Sequence, residues 1–117
     1  MSNTNGHASR SEIFASTNVR RYHDVTIDGK TICLASWTER EMGRFNSDNR
    51  QKANRDTANV RMIVKTCVDS TTHEPIFTDE DVDQIRDLDA GFVVSLTAAC
   101  MDHCRFTDID EEDAEKN

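Results

Sequence analysis

The dipeptide Asp28-Gly29 lies between two alternating runs, Tyr22-His-Asp-Val-Thr-Ile27 and Lys30-Thr-Ile-Cys-Leu34. Both runs are rich in β-branched residues, which suit a pleated, half-buried surface. A two-residue turn between strands needs positive φ at its centre, and Asp-Gly adopts it at little cost. The segment therefore predicts a two-stranded antiparallel hairpin. A lone hairpin is only marginally stable in water, so this one must lie on something apolar. The backing has to come from the rest of the chain.

Helical signals follow. Ser36-Trp-Thr-Glu39 is a capping-box pattern and predicts a helix carrying Trp37, Met42 and Phe45. Residues 46–57 hold nothing large and apolar, which suits either a loop or a solvated continuation of that helix. Val60, Ile63, Val64 and Cys67 recur at the three- and four-residue spacing of an amphipathic helix. Residues 69–75 are turn-rich, and Ile76-Phe77 is a short apolar anchor. Thr78-Asp-Glu-Asp81 then opens a helix with acids at its positive end, Val82 and Ile85 facing inward. Asp89 caps a last, apolar helix from about Ala90 to Cys104. Upstream, residues 11–16 suit a short helix capped by Ser9 or Ser11. The expected fold is α+β, an N-terminal antiparallel hairpin packed on a small bundle of three to four helices. One domain, 11–105, is expected, with a disordered arm at 1–10 and a disordered acidic tail at 106–117.

Composition narrows the function. A chain of 117 residues fits one core, and a hydrophobic share of 36% with 6% aromatics keeps that core small. No apolar run approaches the roughly 20 residues that span a bilayer, so no membrane partner is expected. The first residues lack a basic-then-apolar leader. With 14 basic against 22 acidic residues the net charge is −8, unsuited to neutralising nucleic-acid phosphates. The charge is segregated: residues 37–66 carry a net +3, residues 69–90 a net −7 and residues 106–117 a net −5. Such blocks can steer a basic partner, solubilise the chain, or simply match helix dipoles.

Few constellations suggest chemistry. Asp79, Asp81 and Asp83 alternate like the start of a calcium loop, but Gln84 and Ala90 occupy the places that demand Gly and a bidentate Glu. Cysteines stand at 33, 67, 100 and 104 without a tight Cys pair of the zinc type, so reduced, buried thiols are expected. His7, His23, His73 and His103 are scattered, and no nucleophile elbow or phosphate-cradling loop is present. No catalytic residue, metal or cofactor is expected. The last helix is the informative object. On a helical wheel Phe92, Val93, Leu96, Ala99, Cys100 and Cys104 fill one sector while Val94 and Met101 lie opposite. The apolar arc spans roughly 200°, twice that of an ordinary one-sided helix. Either the helix is central and covered on two sides, or part of it is reserved for a partner or for self-association; on the second reading Phe92, Val94, Leu96 and Met101 are candidate contacts, and Asp79, Glu80, Asp81 and Asp83 a candidate acidic steering patch.

The order of elements resembles a known family. A short helix, a hairpin, a Ser-x-x-Glu-capped helix and a helix of the type Val-x-x-Ile-Val-x-x-Cys precede the phrase Pro75-Ile-Phe-Thr-Asp-Glu-Asp-Val82 and a terminal apolar helix. This resembles the tail assembly chaperones of long-tailed bacteriophages and prophages over residues 11–106, most sharply at 74–85. The resemblance implies a virus-encoded protein of the host cytoplasm, absent from the mature virion. It would coat the aggregation-prone tape measure protein and help recruit tail tube subunits. Family members are often made in two forms through a programmed frameshift, and Glu115-Lys-Asn117 permits an adenine-rich slippery run in the gene. Two other classes fit the residues: a minor structural virion protein such as a head–tail connector or tail component, and a small metal-binding or regulatory module.

Overall fold

A computed structural model of the chain describes residues 6–17 and 20–104. The first five residues of the expected arm and the whole acidic tail lie outside the described residues. Helix α1 spans Arg10–Thr17 and so begins one residue inside the stretch expected to be disordered. Its start is set by Ser9, whose Oγ accepts from the Glu12 amide (3.2 Å) while the Glu12 carboxylate accepts from the Ser9 amide (3.3 Å).

Strands β1 (Tyr22–Ile27) and β2 (Lys30–Ala35) pair antiparallel, with Ile27 opposite Lys30 and Tyr22 opposite Ala35. Asp28 (φ 51°) and Gly29 (φ 78°) both take the left-handed conformation that the hairpin turn requires. The fold is α+β, as expected. A third strand escaped notice: β3, Cys67–Val68, pairs antiparallel with β2 and gives the sheet order β1-β2-β3. Cys67 therefore does not continue the helix before it. Helix α4 (Ala58–Thr66) ends where Thr66 turns its hydroxyl back onto the Met62 carbonyl at 2.6 Å, and Cys67 enters the sheet opposite Leu34.

The capping box also moves. Ser36 does not cap a helix: its amide donates to the Arg21 carbonyl and its hydroxyl accepts from the Arg21 amide, which prolongs the hairpin. Thr38 is the cap of α2 (Glu39–Asp48), paired reciprocally with Glu41. Trp37 thus precedes the helix it was expected to ride on. The Glu41 carboxylate also meets Arg20 at 2.7 Å, and that bond, helped by the Thr38 amide, holds its carboxyl down at about 2 against an ordinary 4.5. A depressed carboxyl stabilises the fold fully above pH 4.5 and loses its effect as pH falls toward 2. Both side chains are about two-fifths exposed, and solvent screening keeps the contribution under about 1 kcal/mol. Urea unfolding should show Glu41→Gln less stable than the natural chain at pH 7, with the gap narrowing below pH 4.5 and closing only below about 2.

Residues 46–57 resolve into the end of α2 and a short helix α3 (Lys52–Asp56), nearer the solvated continuation than a loop. A 3₁₀ turn at Asp79–Asp81 leads into α5 (Val82–Arg86), with Thr78 and Asp81 forming a third capping box. Helix α6 spans Ala90–Cys104, the limits read from the sequence. The Asp89 carboxylate accepts from the Phe92 amide at 3.1 Å, and Gly91 leaves room for it, because a Cβ there would meet that oxygen at 3.1 Å.

Side-chain alternation divides the sheet. Val25, Ile27, Ile32 and Leu34 face the helices and pack on Phe45, Ile63, Cys67, Ile85, Leu96 and Cys100. The other face carries a smaller apolar cluster of Cys33, Ala35 and Val68. Tyr22, opposite Ala35, stacks there on His73 with ring centroids 3.6 Å apart. Helix α6 is held against the sheet and against α4 and α5. Its last turn is tied to the start of the hairpin, where the Arg21 guanidinium donates to the His103 carbonyl. Among the described residues, no helix is long and apolar enough to cross a membrane.

Candidate functional site

The fold uses the two sides of α6 differently. Leu96, Thr97, Cys100 and Cys104 turn inward and are buried. Leu96, at 2% exposure, belongs to the core and, contrary to expectation, offers nothing to a partner, because the sheet and α4 already cover it. Met101 is half-buried against the same core, whereas Val94 stands 66% exposed. Around Val94 the solvent side of α6 consists of Ala90, Gly91, Ser95 and Ala98, closed at its C-terminal end by the exposed Asp102, with Met101 at its edge. No charged residue occurs on this helix before Asp102, in a chain that is 31% charged. A solvated helix face normally carries charge. This one is smooth and uncharged over about three turns, at 3.6 residues each.

Phe92 belongs to a different feature. It is half-buried and forms one wall of an apolar groove of about 550 Å³ between the hairpin turn, α5 and the start of α6. Lys30 reaches over its ring at 5.9 Å from the centroid. Ile63, Ile85 and Leu96 line the floor, and Ile76 and Leu88 stand on the rim at 48% and 46% exposure. Sequence reasoning missed both rim residues. Ile76 was read with Phe77 as an anchor, yet Phe77 is the one that packs on the core. Leu88, isolated between Asp87 and Asp89 in a tight turn, was the available signal: nothing in such a turn calls for a large apolar side chain.

The acidic run divides as well. Asp81 is engaged as a capping residue, its carboxylate accepting from the Thr78 amide at 2.8 Å. Asp79, Glu80 and Asp83 line a polar cleft together with Arg61 and Lys65. Arg61 is fixed there by Asn49 (2.6 Å), by the Asn54 carbonyl (3.0 Å) and by the Phe45 ring beneath it. Facing cations reduce the field that three carboxylates would otherwise project, so the steering patch is weaker than its composition suggests.

All four thiols are free and buried. The Cys67 thiol beside Cys100 pushes the Cys100 pKa up, with burial adding to it. Burial, then Cys100, raises Cys104 to about 11. Burial also raises Cys33, with Asp24 adding to it. Protonated, enclosed thiols are poor nucleophiles and poor metal ligands. Among the described residues, no three His, Cys, Asp or Glu side chains converge as a metal site. His103 faces the Arg21 carbonyl at 3.1 Å and stacks on His23.

In comparisons with known proteins, no family model, no curated protein and no solved structure matches this chain.

Proposed function

We propose that this protein is a non-catalytic assembly chaperone of the phage-tail type, which holds the tape measure protein in soluble form and helps recruit tail tube subunits around it. The observation that carries the reading is the uncharged outer face of α6 centred on Val94. A long helical client offers apolar stripes that water rejects, and a smooth helix face of small residues lets such a stripe approach closely. Net charge −8 then keeps the complex dispersed. Many copies along one extended client let modest affinity per copy accumulate. On this reading the protein acts in the host cytoplasm and is absent from the mature virion.

Co-expression with the long tape measure gene expected beside it is the test. The client should move from the pellet to the soluble fraction and co-purify with this chain. A client equally insoluble with and without it overturns the reading, and so does finding this chain in purified particles.

A further inference from the structure

We propose that the open edge of β1 pairs with β1 of a second copy, antiparallel about a two-fold axis at Val25, so that two three-stranded sheets become one. The inference is carried by the backbone of β1 and does not rest on the client reading.

The register leaves one side of β1 unused. Antiparallel strands send the backbone groups of alternate residues to opposite sides. The Ser36 amide donates to the Arg21 carbonyl, so Arg21 and, in step with it, His23, Val25 and Ile27 bond toward β2. Tyr22, Asp24 and Thr26 turn their N–H and C=O groups outward. Among the described residues nothing bonds to those groups, and β1 is the edge of the sheet.

Edge strands are usually defended by lysine or proline, by a bulge, by shortness or by a covering segment. Strand β1 has six residues, an unbroken register, no proline and no lysine, and none of its residues is buried. Its one carboxylate, Asp24, selects the register of self-pairing. An axis at Asp24 would set two carboxylates directly opposite each other, which is destabilising. An axis at His23 would set Val25 opposite the partner's Arg21. An axis at Val25 sets valine on valine, Ile27 opposite the partner's His23, and Asp24 opposite the partner's Thr26, a hydroxyl donor. The Asp24–Thr26 pairs then exchange the outward backbone bonds.

The helices behind the sheet fit the same axis. Helix α6 packs on both β1 and β2 and so stands over the space between them. With strands about 4.8 Å apart, it lies about 5 Å from the two-fold, and the two copies of α6 run about 10 Å apart. Packed helices stand roughly 8–10 Å apart. Cys100 leans toward Cys67 of β3, so the flank opposite it looks past β1 to the open edge. That flank carries Gly91, Ser95 and Ala98, small enough for this spacing, and Asp102 at its end. The two copies of α6 are antiparallel, which turns each Asp102 toward the positive end of the other helix.

The test is the solution mass of the full-length protein over a concentration series, by sedimentation. A monomer–dimer equilibrium is expected. Thr26→Pro removes an outward N–H and leaves the bonds to β2, so it should give a monomer with unchanged circular dichroism. Thr26→Val keeps that N–H and should still dimerise. Should Thr26→Pro fail to fold, Val25→Cys reads the pairing in its place. Facing residues without backbone bonds between them have Cα atoms about 4.5 Å apart, within disulfide reach. Mild oxidation should therefore link two copies of Val25→Cys covalently and leave the natural chain, whose thiols are buried, unlinked. A monomer at every concentration overturns the proposal and leaves the edge to a different chain. A dimer that Thr26→Pro leaves intact overturns it too, and so does a dimer in which Val25→Cys does not cross-link.

Discussion

On the proposed chaperone reading, Val94→Glu should yield a folded protein that fails to keep a tape measure client in solution. Val94 is 66% exposed, so the domain itself loses little; exposed substitutions of this kind usually change stability by no more than about 0.5 kcal/mol. The client interface is another matter. A carboxylate at the centre of an uncharged face would be buried unpaired on binding, at a cost of several kcal/mol. Near-complete return of the client to the pellet is expected, at equal expression and with unchanged circular dichroism. Val94→Ala should lose only part of the effect, because it removes area without introducing charge. Retention of full solubilising activity by Val94→Glu would move the client site off this helix.

The largest effect on stability is expected at Ile63. Its side chain is fully enclosed between the sheet, α5 and α6, and Ile63→Ala should lower the unfolding free energy by about 2–5 kcal/mol. That is a large fraction of the roughly 5–15 kcal/mol that holds a domain together. Ile63→Val should cost about 0.5–1.5 kcal/mol, and urea midpoints of the three chains would give the order directly. A small loss on Ile63→Ala would mean that the core is far looser than described.

The elements legible in the sequence are those whose instructions are local. Asp28-Gly29 specifies its turn through backbone conformation alone, and Asp89 specifies the start of α6 through a hydrogen bond three residues long. Non-local pairings were not legible. Ser36 and Thr38 are each followed three residues later by Glu, so the sequence offers two overlapping capping boxes. The choice falls to Arg21, which engages Ser36 from the far end of the hairpin. Cys67 keeps the helical spacing of Val60 and Ile63, yet Leu34 draws it into the sheet. The candidate site shows the same division. That α6 is apolar on two sides could be read from its wheel, but which side turns inward depends on the helices and sheet behind it. Phe92, Val94, Leu96 and Met101 were therefore grouped together although they separate into groove, outer face and core. Ile76 and Leu88 matter only because the chain brings the hairpin turn, α5 and α6 to one place.

The chain contains a single tryptophan, and its position makes it a built-in optical reporter. The Trp37 indole N–H donates to the Thr66 hydroxyl at 3.1 Å, and the ring meets Phe45 edge-on with centroids 5.0 Å apart. The end of the hairpin, α2 and α4 thus together fix the surroundings of one chromophore. Its emission wavelength registers whether the joint between the hairpin and the helices is closed, so the integrity of every variant described above is readable without attaching a dye.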